Sequence, residues 1–312
     1  MKTDAPSATA YLIATSTIFV AADREAGRLI PARAAELSAC FVEARSRAAR
    51  WAIETLLRRK RARPFVSALE RLTLPGIQLH YALRKLYLEE TTRAAIADGT
   101  RQVVIFGAGY DTLALRLHEA FPDTQFIEAD HPATQRRKIH ALAARGDLRR
   151  QTAANLRFLP LDLTRGGRLA DTLLNFSGYR TDVPTLFIAE GLLMYLAPGE
   201  VDELFQTIRD CGGASGQFAF TFMEPQAGGR VNFLRPSRAV DAWLGWRREF
   251  FKWGIGRGEL PSYLAARGFV MREIATGATF RRRYLEPESL AHLPLAVGEY
   301  VCVANLDERG GL

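Results

Sequence analysis

The hydrophobic pattern changes character near residue 100. Upstream of it, apolar and small residues recur at 41, 44, 48, 51/52 and 55/56, a spacing near 3.6 that predicts a helix over 40–59. A second helix is predicted over 79–97, and the apolar run at 8–22 is read as a third. From Arg101 onward, short apolar runs appear at 102–106 (QVVIF), 124–129, 156–161, 184–189 (PTLFIA) and 217–222 (QFAFTF). Helical segments at 111–120, 131–144, 167–175 and 198–209 separate them, with Pro198 near a first turn, where its missing N–H does no harm. A helix at 259–266 and two further strands near 269–274 and 296–303 follow. Alternation of this kind predicts an α/β, Rossmann-like fold: a mostly parallel seven-stranded sheet with helices on both faces. The division is a helical segment at 1–100 and a sheet domain at 101–312. An Arg- and Trp-rich insertion at about 225–257 breaks the rhythm and reads as a lid or cap.

Composition narrows the class without deciding the function. A charged fraction of 24% and hydrophobic content of 48% over 312 residues describe a globular chain able to bury a large core. The net charge of +8 comes almost wholly from arginine, since lysine stands only at 2, 60, 85, 138 and 252. It permits an acidic partner, but a run such as 58–63 also suits the C-terminal turn of a solvated helix. Nucleic acid is therefore not the expected partner. Cys40, Cys211 and Cys302 lack disulfide or zinc spacing, which fits a reducing cytoplasm and no metal site. The run at 8–22 is too short for a membrane span and is interrupted by Thr15, Ser16 and Thr17. Asp4 argues against a secretion signal.

The chemistry concentrates at strand ends. The stretch VVIFGAGYD (103–111) runs from a strand into Gly107 and Gly109 and then into a helix. Glycines there allow a sharp turn and a close approach by a ligand. A dinucleotide loop wants a third small residue where this chain has Thr112, and Asp111 would repel a pyrophosphate. A carboxylate at that point tolerates a sulfonium or ammonium, which favours S-adenosylmethionine. Glu128 and Asp130 end the second strand about twenty residues on, and either can accept both ribose hydroxyls. Asp162 ends the third strand, and Glu190 the fourth.

These stretches resemble a known family, the leucine carboxyl methyltransferase-like enzymes, and within it the bacterial branch of polyketide O-methyltransferases. The resemblance lies in RQVVIFGAGYDTLALRL (101–117), FIEADHPATQRRK (126–138), FLPLDL (158–163) and PTLFIAEGLLMYL (184–196), with weaker echoes over most of the chain. It implies a class I methyltransferase fold with the helical segment 1–100 covering the cofactor. It also implies that Gly107 lines the cofactor, that Asp130 rather than Glu128 holds the ribose, and that Asp162 and Leu163 meet the adenine. Glu190 would stand near the methionyl end, and Arg84 would pair with the cofactor's carboxylate. The sequence departs from the family at Lys85, where a threonine is usual, and at Arg248-Glu249-Phe250, where Gly-Glu-Pro is usual.

No histidine is paired with a nucleophile in any motif. A carboxylate acceptor is ionised at neutral pH and needs no general base, so proximity and exclusion of water can carry its methylation. The expected reaction is therefore methyl esterification of a small molecule, with phenol or alcohol methylation as the alternative. Arginines of the insertion such as Arg235 and Arg247, with Trp246 among its aromatic residues, would grip an anionic, partly aromatic acceptor. A nicotinamide-dependent oxidoreductase and a non-catalytic binding protein are the competing classes.

Overall fold

A computed structural model describes residues 7–46, 51, 68, 70, 72–144, 154–164, 168–213, 215–226, 228–233, 251–287 and 289–307. Seven strands form one sheet: β1 (Gln102–Phe106), β2 (Gln125–Asp130), β3 (Leu156–Pro160), β4 (Thr185–Ala189), β5 (Gln217–Met223), β6 (Phe269–Ala275) and β7 (Glu299–Leu306). Their order is β3-β2-β1-β4-β5-β7-β6, with β7 antiparallel to both neighbours and the other pairings parallel. The expected sheet is present, and the antiparallel element is its penultimate strand.

The sheet is central because β1 is buried on both faces and its side chains alternate between two cores. Val103 and Ile105 point into one cluster with Tyr11, Ile18, Phe41, Leu83 and Tyr87. These come from α1 (Ala8–Ala21), α2 (Ala34–Glu43) and α3 (Ile77–Ala97). Val104 and Phe106 point into the other, against α6 (Leu169–Leu174), α7 (Pro198–Gly212) and α8 (Leu260–Ala265). Two further helices, α4 (Leu113–Leu117) and α5 (Pro132–Ala143), follow β1 and β2.

Differences from the sequence pattern are local and have local causes. The helix expected from residue 111 begins at Leu113, because Asp111 Oδ1 accepts the Thr112 N–H at 2.7 Å and holds both residues outside it. The helix expected at 40–59 is not continuous: α2 runs from Ala34 and ends at Glu43 with Ala44 as its cap, and 44–46 are non-helical; beyond residue 46 only Trp51 of the expected helix lies within the described residues, and the basic run 58–63 lies outside them. The last strand starts at Glu299, after Gly298 at φ 124°. Of the insertion, 225–226, 228–233 and 251–257 are described: Pro225 bridges Val231, and the Lys252 N–H donates to the Met194 carbonyl at 2.7 Å.

Candidate active site

Register brings the strand ends level. Phe106 lies beside Ala129 and Ala189, and Asp130 lies beside Pro160, so the residues that follow each strand emerge in one row. β1 and β4 adjoin where the strand order reverses, the point at which open α/β sheets bind ligands. One cavity opens there. Gly107, Gly109, Asp111, Asp130, His131, Asp162, Leu163 and Glu190 line it from the sheet side. α1 forms the facing wall through Thr9, Ala10, Ile13, Ala14 and Thr17, and α3 contributes Arg84 and Lys85.

The loop after β1 is a cradle that a side chain would fill. Gly107 has φ 63°, and a Cβ there would sit 2.8 Å from Leu192 Cδ1. Asp130 ties this loop to β2, since its Oδ2 accepts the Gly109 N–H at 3.0 Å and its Oδ1 the His131 N–H at 2.8 Å. Burial raises its pKa, against the opposing pull of these N–H groups. Each oxygen keeps a second lone pair for a donor in the cavity.

The structure separates the two carboxylates that spacing alone left equivalent. Glu128 lies one pleat deeper, 1% exposed, with its Oε2 2.6 Å from Lys138 Nζ. Burial pushes its carboxyl up to about 7 despite that lysine. Lys138 Nζ also donates to the Asp111 carbonyl at 2.6 Å, so the buried pair supports the glycine loop from below. Asp130 alone of the two lines the cavity.

Asp162 Oδ1 accepts the Thr164 N–H and hydroxyl at 3.0 and 2.7 Å. His131 Nδ1 accepts the Ala133 N–H at 3.2 Å and caps α5, which leaves Nε2 as the protonated nitrogen of the neutral ring. That Nε2 stands 3.7 Å from Asp162 Oδ2. His118 and His140 do not line the cavity, nor does His292, and His80 is buried beneath it.

Along the floor runs a chain of alternating charge. His80 Nε2 lies 2.9 Å from Glu299 Oε2, and Arg84 Nη1 donates to both Glu299 oxygens at 2.7 Å. Arg84 Nε and Nη2 meet Glu190 Oε1 at 2.9 and 2.8 Å. Lys85 Nζ reaches Glu190 Oε2 at 3.1 Å and Asp111 Oδ1 at 2.9 Å. Burial would raise the Glu299 carboxyl, but Arg84 and His80 hold it near 2. Burial would likewise raise Asp111, yet Lys85, with Lys138 and Arg116 behind it, keeps it well below the usual carboxylate range. Asp111 thus presents a neutralised carboxylate, and the repulsion inferred from its isolated charge is weaker in the folded chain.

Glu299, His80 and Lys138 have no site role in the sequence reading, and Lys85 figures there only as a departure from the family pattern. A faint signal existed: His80 and Arg84 fall one turn apart on the face of α3 that carries Leu83 and Tyr87, and Glu299 interrupts an apolar strand. Arg235, Trp246 and Arg247 lie outside the described residues. Among the described residues, no group of three or more His, Cys, Asp or Glu side chains could hold a metal ion.

Comparison with known proteins agrees with this architecture. The family model of leucine carboxyl methyltransferases matches residues 13–209. A protein of Mycobacterium tuberculosis, named as a candidate S-adenosyl-L-methionine-dependent methyltransferase, is 32% identical over 214 residues, covering 66% of this chain and 64% of that protein. A Mycobacterium ulcerans protein of the same name is 36% identical over 143 residues, covering 46% and 44%. The matches therefore span roughly half to two thirds of these relatives' lengths. The crystal structure of a candidate methyltransferase from Thermobifida fusca shares the fold, with a TM-score of 0.52 and 16% identity over 79% of this chain and 89% of that one. With the glycine loop, the row of acidic strand ends and a matching model over more than half of its length, the chain belongs to the leucine carboxyl methyltransferase family of S-adenosylmethionine-dependent enzymes.

Proposed function

We propose that the chain transfers a methyl group from S-adenosylmethionine to an oxygen of a small molecule. The observation that carries the reading is the convergence of Gly107, Gly109, Asp130, Asp162 and Glu190 on one cavity at the switch point. The residues fit the cofactor: the glycine cradle admits it, and Asp130 has lone pairs for ribose hydroxyls. Asp162 and Leu163 stand where adenine would lie, and Asp111 and Glu190 flank the methionyl end. The cofactor supplies an activated methyl group, and the chain's part is to align the acceptor and exclude water. In the same reading, 1–100 covers the cofactor, 101–312 is the catalytic domain and 225–257 closes over the acceptor. Arg235, Trp246 and Arg247 are proposed acceptor contacts.

A carboxylate acceptor, giving a methyl ester, is supported by the commitment of the acidic groups lining the cavity. Asp111 and Glu190 are ion-paired, while Asp130 and Asp162 accept backbone N–H groups. A phenolic acceptor is supported by a different observation: Asp162 Oδ2, 3.7 Å from His131 Nε2, is a carboxylate oxygen at the cavity that can take a hydroxyl proton. The resemblance to polyketide enzymes makes aromatic polyketide acids and their phenols the first acceptors to try. Incubation with labelled cofactor and a panel of aromatic acids, matching phenols and tRNA separates the readings. Label released by alkali as methanol marks an ester, and alkali-stable label on a phenol marks an ether. Label on tRNA alone, or on nothing in an enlarged panel, overturns the small-molecule reading.

A further inference from the structure

The acidic strand ends account for the cavity from β3 to β4, but the cavity continues past β4. Leu192, Tyr195 and Leu196 line that stretch, and Lys252 joins them from the far end of the insertion. Residues 251–255 form a strap across the ends of β4 and β5. The Lys252 N–H donates to the Met194 carbonyl at 2.7 Å, and the Ile255 N–H to the Met223 carbonyl at 2.9 Å. Side chains alternate along the strap. Phe251 packs on the Tyr195 ring at 5.4 Å and Trp253 on the Tyr263 ring at 5.8 Å, while Lys252 between them is exposed. The cavity-lining cations Arg84 and Lys85 are both ion-paired with Glu190, and Arg257, beyond the strap, is paired with Glu224 at 3.1 Å. Lys252 differs: among the described residues it has no carboxylate within ion-pair distance.

A cofactor with its adenine at Asp162 and its amino-acid end at Glu190 fills the cavity from β3 to β4, which leaves the end at Tyr195 and Lys252 for the acceptor. An ammonium beside an aromatic ring is complementary to an aromatic acid: the ring offers a flat apolar face, and the cation offers a charged donor to the carboxylate. We propose that Lys252 binds a carboxylate carried by the methyl acceptor while Tyr195 supports its ring, so that Lys252 is a specificity-determining residue for aromatic acids. Deeper in the cavity, Asp130 and Asp162 repel an acid, so the same lysine sets which way round the acceptor enters. The inference rests on the methyl-transfer reading and names the acceptor class for it. The carboxylate that Lys252 holds is the methylated group if the product is an ester, and a handle beside the reacting hydroxyl if it is an ether.

Titration calorimetry on the full chain saturated with S-adenosylhomocysteine tests this. The probes are benzoate, 2-naphthoate and anthraquinone-2-carboxylate, each set against its primary amide, which keeps the shape and loses the charge. Wild type should bind at least one acid about threefold to tenfold more tightly than its amide, a modest factor because solvent screens an exposed ammonium. Lys252→Met should lose that preference by weakening the acid alone, and Lys252→Arg should keep it. Raising the salt to about 1 M should erode the preference in wild type and change nothing in Lys252→Met. S-adenosylhomocysteine should bind all three proteins alike. Wild type that binds no acid better than its amide overturns the proposal, and so does a preference that survives in Lys252→Met. Equal weakening of acid and amide in Lys252→Met would make the lysine a structural prop and overturn it too. Normal S-adenosylhomocysteine binding with phenols methylated and acids ignored removes this inference and leaves methyl transfer standing. A wild-type chain that does not bind S-adenosylhomocysteine overturns the methyl-transfer reading, and this inference with it.

Discussion

At the scale of single residues, burial decides what each carboxylate does. Asp130 and Glu128 are two positions apart, yet one faces the cavity and the other faces Lys138. Asp130→Ala should weaken S-adenosylhomocysteine binding by about 1.5–3 kcal/mol, the usual loss of a charged hydrogen-bond acceptor, and titration calorimetry reads this directly. Glu128→Ala should weaken it less, and the reverse order would reassign the ribose contact. Glu128 also makes a pH prediction. Its folded pKa, about 7, lies above the ordinary glutamate value of about 4.3, so the folded state binds more protons between those pH values. This group's contribution therefore falls as pH rises from about 4.3 to 7. Glu299 has the opposite sign: held near 2, it contributes stability that is present above about 4.3 and lost as pH falls towards 2. Denaturant melts across this range should show Glu128→Gln with a flatter profile from 4.3 to 7 and an unaltered acid limb. Glu299→Ala strands Arg84 and His80 in the core and should destabilise the fold by about 3–5 kcal/mol, the range for breaking a buried ion pair.

Elements carry the site by holding surfaces at fixed separations. α7 supplies Phe205, whose ring meets Phe218, Phe220, Tyr263 and Phe269 at 5.3–5.7 Å, locking the helix to β5, α8 and β6. Phe205→Ala should cost about 3–5 kcal/mol in chemical denaturation, the range for emptying an aromatic core position. α1 acts on the other face. Ser7 Oγ accepts the Ala10 N–H at 3.2 Å and starts the helix, and a Cβ on Gly109 would lie 3.4 Å from the Ala10 Cβ. Ala10→Phe places a ring against the glycine loop from a half-buried position. It should lower S-adenosylhomocysteine affinity at least tenfold while shifting the melting temperature by only a few degrees. Undiminished binding would show that α1 does not cover the ligand.

The whole molecule places the cavity between parts far apart in sequence: α1 and α3 on one side and four strand ends on the other. A ligand bridging them stabilises the native state by mass action, about 2.7 kcal/mol at a concentration one hundred times its dissociation constant. Scanning calorimetry should therefore show a rise in melting temperature with S-adenosylhomocysteine and none with a nicotinamide dinucleotide. The converse pattern would return the chain to the oxidoreductase class. Among the described residues, no helix is long and apolar enough to cross a membrane.

Local pattern was enough for the sheet because strand and helix periods are properties of short segments. The runs 102–106 and 217–222 announce β1 and β5, and the glycines at 107 and 109 announce the turn between β1 and α4. The family signature likewise lies in contiguous stretches. The resemblance favoured Asp130 over Glu128; local pattern could not choose, because both share a strand face and differ only in depth. Nor could it link Arg84 to Glu299, 215 residues away. That pairing exists only once the antiparallel β7 is inserted beside β5 and brings Glu299 under α3. A buried charge must find a partner, but which partner it finds is decided by chain topology.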